Sequence, residues 1–400
     1  MTHVVTARYV DAKTALSRYE AEWRGLADST PDATLFMRPC VYDAWHREIG
    51  QSVTSSVIIV EKSGRLIGVL PTMRATNWRG PSMVPRIDYA PYDRELAPKT
   101  RRPFAVRQLS SVVSWRASSV RPTTLCQPQD RPQVFAAIAR LMVGTGRIDQ
   151  IILPILDGDE ETLWADGFRA AGLIPYIHRL ERPLMTLENV RPFDEILADS
   201  SRNFRRSVQR ANKVASNAGL VFTLYEGNQA VAGQMEMFAS LAAQSWKSAG
   251  DNAAGERIGM AYEGGQQAYL RRILNAGDPG LRPLLSVGHI GDTAIVASLY
   301  LCHAKTATGL LTFRSEQLPA ASPGMLSMIP AINWAAERGF GRIDMNATQG
   351  WMRHLTDTRR VLSNLVCFRN TLRGRIFGRI ARKRGLIEPL QPTGSFEQSL

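Results

Sequence analysis

Cysteine is scarce in this chain: Cys40, Cys126, Cys302 and Cys367 are its only four in 400 residues, they lie far apart, and none forms a CxxC pair. With no histidine at ligand spacing from them, neither a disulfide scaffold nor a zinc site is indicated, and no metal is expected. A reducing cytoplasm is the compartment such cysteines fit. Residues Met1 to Asp11 lack a basic stretch followed by an apolar core, and no apolar run approaches the roughly 18 residues of a membrane span. A soluble or peripheral chain is expected. Acidic residues are also short, 36 against 49 basic, and lysine is rarer still, so that arginine supplies 42 of the cations behind a net charge of +13. Fixed guanidinium surfaces pair well with carboxylate and phosphate, so anionic partners or substrates are expected.

What is present suffices for a large core. Hydrophobic residues make up 44% of the chain, and at roughly 100 to 200 residues per domain two units are expected. Arg18 to Gly50 has a helical pattern, with Trp23, Leu26, Tyr42, Trp45 and Ile49 on its apolar side. Val57–Val60 and Leu66–Leu70 flank Glu61-Lys62-Ser63-Gly64-Arg65 and read as a hairpin. Ala75 to Arg107, rich in Pro, Gly, Tyr and Arg, reads as mostly loop. A helix over Val134–Val143, a strand over Asp149–Leu156, a helix over Glu160–Ala171 and a strand over Tyr176–Leu180 suggest an α/β layer structure. The boundary is placed near Arg182, and residues 181–198 read as a crossing strand into the second unit. There, helices are expected over Met235–Trp246 and Gln266–Leu274, and a hairpin joins Leu284–His289 to Ala294–His303. His303, on an apolar strand, reads as a core residue.

The richest stretch is Thr308 to Asn346. A β-like run ending Leu310-Leu311-Thr312-Phe313 passes through a polar loop into Ser322-Pro323-Gly324-Met325-Leu326, followed by a long apolar segment closed by Gly339 and a returning strand over Phe340–Asn346. Ser322 is a suitable N-cap and Pro323 suits the first helical position. Free N–H groups are expected at Gly324, Met325 and Leu326, a start that attracts phosphate and hence a nucleotide-like cofactor. Pro330 should bend the helix, leaving the cradle on a short first segment.

Two basic elements stand out. In Ser201 to Gly219, Phe204, Val208, Ala211 and Ala215 share one face, while Arg202, Arg206, Arg210 and Lys213 share another. From Phe368 to Arg384 there are seven basic residues and no acidic one, with Leu372, Ile376, Phe377 and Ile380 at helical spacing. The tail reads either as a helix packed on the fold by its apolar side, the preferred reading, or as one lying on an anionic membrane.

Three pieces in one order, Ser201-Arg-Asn-Phe-Arg-Arg-Ser-Val-Gln-Arg-Ala-Asn-Lys213, Ser322-Pro-Gly-Met-Leu326 and Trp334-Ala-Ala-Glu-Arg-Gly-Phe-Gly-Arg-Ile-Asp344, resemble the two-domain acetyltransferases of the GNAT superfamily. The likeness is to the branch termed cellulose- or polysaccharide-biosynthesis-like, related to Fem-type aminoacyl transferases. Asp88-Tyr89-Ala90-Pro91 and the Leu153-Pro154 strand end add to it. The resemblance implies an α/β (α+β) chain of two tandem GNAT-like domains, each a mixed, mostly antiparallel sheet flanked by helices. They are set at 1–182 on the acceptor side, 183–367 for acyl-CoA, and 368–400 as a basic helix and tail. The sequence departs from the branch at Asn346-Ala-Thr-Gln-Gly-Trp-Met-Arg-His354, where relatives carry Gly-Asp and then Tyr-Lys.

Acyl transfer to an amine needs a proton acceptor and hydrogen bonds to the developing oxyanion. The chain has no Gly-x-Ser-x-Gly elbow and no Cys–His arrangement, so direct attack in a ternary complex is expected. Asp344, Glu316 and His354 are the candidate bases, each against a plainer role: strand-end hydrogen-bond acceptor, solvated loop carboxylate and exposed ring. Backbone groups of Leu311, Thr312 and Phe313 would bind the pantetheine arm, and Ser322, Gly324, Met325 and Leu326 the pyrophosphate. Asp88, Tyr89, Trp246 and Arg206 are candidates for holding the acceptor. The expected activity is acyl-CoA-dependent N-acylation, with acetyl-CoA as donor and a sugar-type or lipid-linked acceptor, in cell-surface polysaccharide synthesis at the cytoplasmic side of the membrane. Two alternatives stay open: a Fem-like transferase fed by aminoacyl-tRNA, and a non-catalytic module binding polysaccharide or membrane. Nucleic acid is the less favoured partner.

Overall fold

The computed structural model describes residues 4–77, 106–112, 124–156, 158–179, 184–245, 265–346, 351–356, 358–360 and 363–390. The chain folds into two compact units. One comprises Met1–Trp115, Ser119–Arg182 and Val361–Leu400, and the other Pro183–Arg360 with the short piece Arg116–Ser118.

The first unit opens with β1 (Val5–Asp11), α1 (Ala12–Arg18), α2 (Glu20–Ser29) and α3 (Pro39–Glu48), followed by β2 (Thr54–Lys62) and β3 (Arg65–Asn77). Asp11 caps α1 by accepting the Thr14 N–H at 2.8 Å, as short polar residues do at helix starts. Ser63 and Gly64 both take positive φ, 52° and 81°, the primed two-residue turn whose twist suits a hairpin. Then come β4 (Val106–Ser111), β5 (Leu125–Cys126), α4 (Arg131–Gly144), β6 (Gln150–Leu156), α5 (Gly158–Ala170) and β7 (Pro175–Arg179). Strand β1 was not among the expected elements although Val5, Ala7 and Tyr9 alternate with Thr6 and Arg8, and β3 and β4 extend into the region read as loop, to Asn77 and from Val106.

The second unit holds β8 (Leu184–Glu188), α6 (Phe193–Asp199), α7 (Arg202–Asn217), β9 (Leu220–Glu226), α8 (Asn228–Ala232), α9 (Met235–Gln244), α10 (Gln267–Asn275), β10 (Leu281–Ile290), β11 (Thr293–His303) and β12 (Thr306–Arg314). It ends with α11 (Pro323–Leu326), α12 (Met328–Glu337), β13 (Arg342–Asp344) and β14 (Arg359–Arg360). The crossing strand over 181–198 is a correction: among the described residues of that range only Leu184–Glu188 is strand, and Phe193–Asp199 is helix because Pro192 sets its start and Phe193 and Ile196 face the core.

The chain then returns to the first unit as β15 (Ser363–Phe368), α13 (Leu372–Lys383) and β16 (Glu388–Pro389). This differs from the expected division, which gave 183–367 to the second domain and set 368–400 apart. Strand β15 inserts between β6 and β7 with Leu365, Val366 and Cys367 fully buried. An apolar run shows that a strand is buried, not which sheet receives it.

Among the described residues the first sheet runs β1-β2-β3-β4-β6-β15-β7-β16, with β5 on β3, and the second β14-β8-β13-β12-β11-β10-β9. Each contains one parallel pair, β4 with β6 and β12 with β13, the rest being antiparallel. In the first unit α4 and α5 cover the sheet around Phe135, Trp164 and Phe168. In the second, Phe204, Val208, Leu284, Ile332, Trp334 and Ile343 form the core. Burying each such side chain fully contributes about 1.5–3 kcal/mol.

Candidate active site

The second sheet opens where β12 and β13 part. Their parallel ladder runs Thr306↔Arg342, Ala307↔Ile343 and Thr308↔Asp344, and stops there. Residues beyond Gly309 remain paired with β11 alone, with a bulge opposite Leu299 and Tyr300. On the side away from β11, the edge from Leu310 to Arg314 therefore has no paired strand among the described residues.

Beside that edge lies α11. Its Gly324 is open: a Cβ built there would meet only Thr312 Cγ2, at 3.9 Å. Thr312 shares a hydrogen bond with Ser298 at 2.9 Å, Ser298 with Ser327 at 2.7 Å, and Ser327 donates to the Gly324 carbonyl at 3.0 Å. This hydroxyl chain ties β12, β11 and the α11–α12 junction together. Sequence reading missed Ser298 and Ser327. A lone serine inside the apolar run Ile295–Leu301 was the available signal.

Several details of the cradle are corrected. Ser322 does not cap through its side chain; it adopts a left-handed conformation, φ 46° and ψ 55°. The Met325 and Leu326 amides both donate to its carbonyl, at 2.9 and 3.2 Å. Of the three N–H groups expected free, only that of Gly324 has no acceptor among the described residues. The short first segment expected of the cradle is present as α11, but the break falls at Ser327 and not at Pro330, which lies in the first turn of α12, where its missing donor costs nothing. The returning strand is shorter than expected, Arg342–Asp344.

The remaining candidates separate by face. Side chains opposite one another in a ladder share a face of the sheet, so Thr186, Asp344 and Thr308 form one buried polar row across β8, β13 and β12. Asp344 accepts the Asn346 N–H at 3.0 Å, and Thr186 Oγ1 is buried without a hydrogen-bond partner. Thr186 was not among the sequence candidates; its strand gave no pattern that singled it out. Leu311 and Phe313 turn into the core, Phe313 against Phe238 at 5.1 Å, and Met325 and Leu326 are buried as well. These four offer backbone, not side chain, to a ligand. Glu316 is exposed beyond β12. His354 is exposed too and stacks on Phe204, centroids 4.8 Å apart. His303 is buried and its Nδ1 lies 3.0 Å from the Gly280 carbonyl oxygen. Asp88, Tyr89 and Trp246 lie outside the described residues.

Helix α7 packs on α11 and on the turn before it. Its start is capped by Ser201, which accepts the Phe204 N–H at 3.3 Å. Phe204, Val208, Ala211 and Ala215 are buried, leaving Arg202, Arg206, Arg210 and Lys213 exposed. None of these four has an ion-pair partner among the described residues. Cys302 is pushed up to about 12 by burial, as is Cys126, and burial raises Cys367 further. These thiols stay protonated and are unsuited to nucleophilic catalysis. Among the described residues no cluster of His, Cys, Asp and Glu could hold a metal ion.

Comparison with known proteins agrees with this geometry. Residues 202–351 match the family model described as "Acetyltransferase (GNAT) domain". No curated protein matches the sequence. Among solved structures, FemX is similar at 12% identity over 94% of this chain and 99% of its own, with a TM-score of 0.53. The C-terminal domain of a putative lysylphosphatidylglycerol synthetase from Agrobacterium fabrum is similar at 11% identity, over 93% and 97%, with a TM-score of 0.52. A Bacteroides thetaiotaomicron protein of unknown function also scores 0.52, at 6% identity over 92% and 100%. Residues 202–351 are thus similar to a GNAT acetyltransferase domain, and the chain as a whole shares the fold of FemX and of the lysylphosphatidylglycerol synthetase domain. Its second unit carries the acyltransferase domain.

Proposed function

We propose that this protein is an acyl-CoA-dependent N-acyltransferase, using acetyl-CoA and acylating an amino sugar or related precursor of a cell-surface polysaccharide. One observation carries the reading. The open edge of β12 beyond the Thr308–Asp344 pair lies beside the unobstructed Gly324 turn, and the Ser298–Ser327 chain holds the two together. The edge of β12 from Leu310 to Arg314, beside which no strand pairs among the described residues, suits the amides of a pantetheine arm. The Gly324 N–H and the exposed cations of neighbouring α7 suit its phosphates.

In this reading Asp344 takes the proton of the attacking amine. The amine nitrogen bonds to the thioester carbonyl carbon, β12 amides hold the oxyanion, and as the C–S bond breaks the leaving thiolate takes up the proton held by Asp344. No enzyme nucleophile takes part, consistent with the protonated cysteines. The acceptor class rests on the resemblance of the sequence motifs to the polysaccharide-biosynthesis branch.

A second reading, transfer from an aminoacyl-tRNA, draws on the unpaired cations of α7, which would bind an RNA backbone. Calorimetric titration with acetyl-CoA and longer acyl-CoAs, repeated on Gly324→Asp, decides. Micromolar binding that the variant loses is expected, because a carboxylate there repels pyrophosphate. Absence of acyl-CoA binding together with salt-dependent tRNA affinity would establish the second reading instead.

A further inference from the structure

Helix α13 buries small residues and one ring, and leaves two of its aliphatic side chains outside. Its buried side is Gly374, Phe377, Gly378 and Ala381. The seat is tight: a Cβ at Gly374 would stand 2.2 Å from the Arg369 carbonyl oxygen and 2.9 Å from that of Asp149, and one at Gly378 would touch the Phe368 ring at 3.3 Å. Thr371 fixes the start, accepting the Gly374 N–H at 3.0 Å and donating to Asp149 at 3.1 Å. The helix therefore cannot roll to hide other residues. This corrects the sequence expectation that Leu372 and Ile376 pack inward with Phe377: Leu372 is 76% exposed and Ile376 42%.

Together with Arg379 and Lys383 these two form the outward crest, at steps of four, three and four. Arg373, Arg375 and Arg382 flank it, and Arg384 with Leu386, itself 39% exposed, continues it past the helix end. No Asp or Glu occurs between Phe368 and Ile387. Arg375, Arg379, Lys383 and Arg384 make no ion pair among the described residues. No helix among them is long and apolar enough to cross a membrane.

We propose that this face docks on an anionic lipid bilayer, with Leu372 and Ile376 entering the headgroup boundary and the surrounding cations meeting lipid phosphates. The charge selects an anionic partner, and the exposed aliphatic pair selects lipid over nucleic acid. Single-stranded nucleic acids are held by aromatic platforms, and both rings nearest the crest, Phe377 and Phe368, are turned inward. The surface belongs to the first unit and is independent of the acyl-transfer reading.

The test is cosedimentation of the full chain with vesicles of phosphatidylcholine alone, and of phosphatidylcholine mixed with phosphatidylglycerol. Binding to the mixed vesicles only, weakened by salt, is the expected result. Leu372→Glu with Ile376→Glu, and separately Arg379→Glu with Lys383→Glu, should each weaken it by about tenfold or more. Thermal melts of both variants should match the parent, since these side chains lie in water. Failure to bind, or equal binding to neutral vesicles, overturns the proposal. So does loss on removing the charges without loss on removing the aliphatic pair, above all if single-stranded RNA competes with the vesicles.

Discussion

The hydroxyls of Ser298 and Ser327 meet at 2.7 Å inside the second unit, both out of contact with solvent. They join the strand next to the open edge to the break between α11 and α12, and so help to position the Gly324 turn. Replacing Ser327 by alanine leaves Ser298 bonded to Thr312 alone, and replacing Ser298 leaves Ser327 bonded to the Gly324 carbonyl alone. A cost of about 0.5–1.5 kcal/mol in urea unfolding is expected for the one lost hydrogen bond. Acetyl-CoA affinity should fall in parallel, measured by calorimetry. Unchanged stability and affinity would show that the turn is held by packing alone.

Gly324→Ala separates shape from fold. A Cβ there meets nothing closer than 3.9 Å, and alanine favours a helix over glycine by about 0.5–1 kcal/mol. The variant should be no less stable than the parent in denaturant titration. Its acyl-CoA affinity should nevertheless drop, because the methyl group stands where the phosphate must approach. Full affinity would move the pyrophosphate site elsewhere.

Asp344→Asn keeps the size of the side chain and its bond to Asn346 while removing the base. In the proposed mechanism kcat falls by about 100-fold or more, with acetyl-CoA affinity retained. Glu316→Gln and His354→Gln, both at exposed positions, should leave kcat unchanged. A fall in kcat for either of them with Asp344→Asn fully active would transfer the role.

In the first unit the ladder pair of β4 and β6 is locked by Asp149, which receives the Arg107 guanidinium through two bonds of 2.9 Å, its backbone N–H, and the Thr371 hydroxyl. Burial pushes this carboxyl up, but the Arg107 and Thr371 hydrogen bonds outweigh it and hold the group below its ordinary value of 3.8. A depressed folded-state value makes this contribution to stability fully present above the ordinary carboxylate range. It is lost as pH falls through that range towards the folded value. Denaturant midpoints from pH 7 downward should show this acid loss, and Asp149→Asn, already lacking it at neutral pH, should show a shallower decline. Equal slopes would mean that other carboxylates govern acid unfolding.

The elements with a strong period were legible. The stripe Phe204, Val208, Ala211 and Ala215 is the buried face of α7, and the hairpins turn at Ser63-Gly64 and Gly291-Asp292 where glycine marks them. Strand β9 was missed because it is half-buried with weak alternation, whereas β1 does alternate, Val5, Ala7 and Tyr9 against Thr6 and Arg8, on a face that is only half-buried. Asp344 was legible as a strand end, yet its companions Thr186 and Thr308 come from strands distant in sequence, and only the ladder register unites them. Likewise the free donors expected at Met325 and Leu326 were lost to the Ser322 carbonyl, a local backbone twist that no side-chain pattern records.

Composition and local pattern determined that this chain has two α/β units, a basic surface and a glycine turn after a core strand, because burial, charge and backbone freedom are properties of residues themselves. Tertiary structure decided which sheet receives β15, which side of α13 faces water, and where β12 loses its neighbour. Those are outcomes of competition for one packed arrangement. Two glycines gave α13 so close a seat that Leu372 and Ile376 were left outside, and that choice cannot be read from apolar spacing alone.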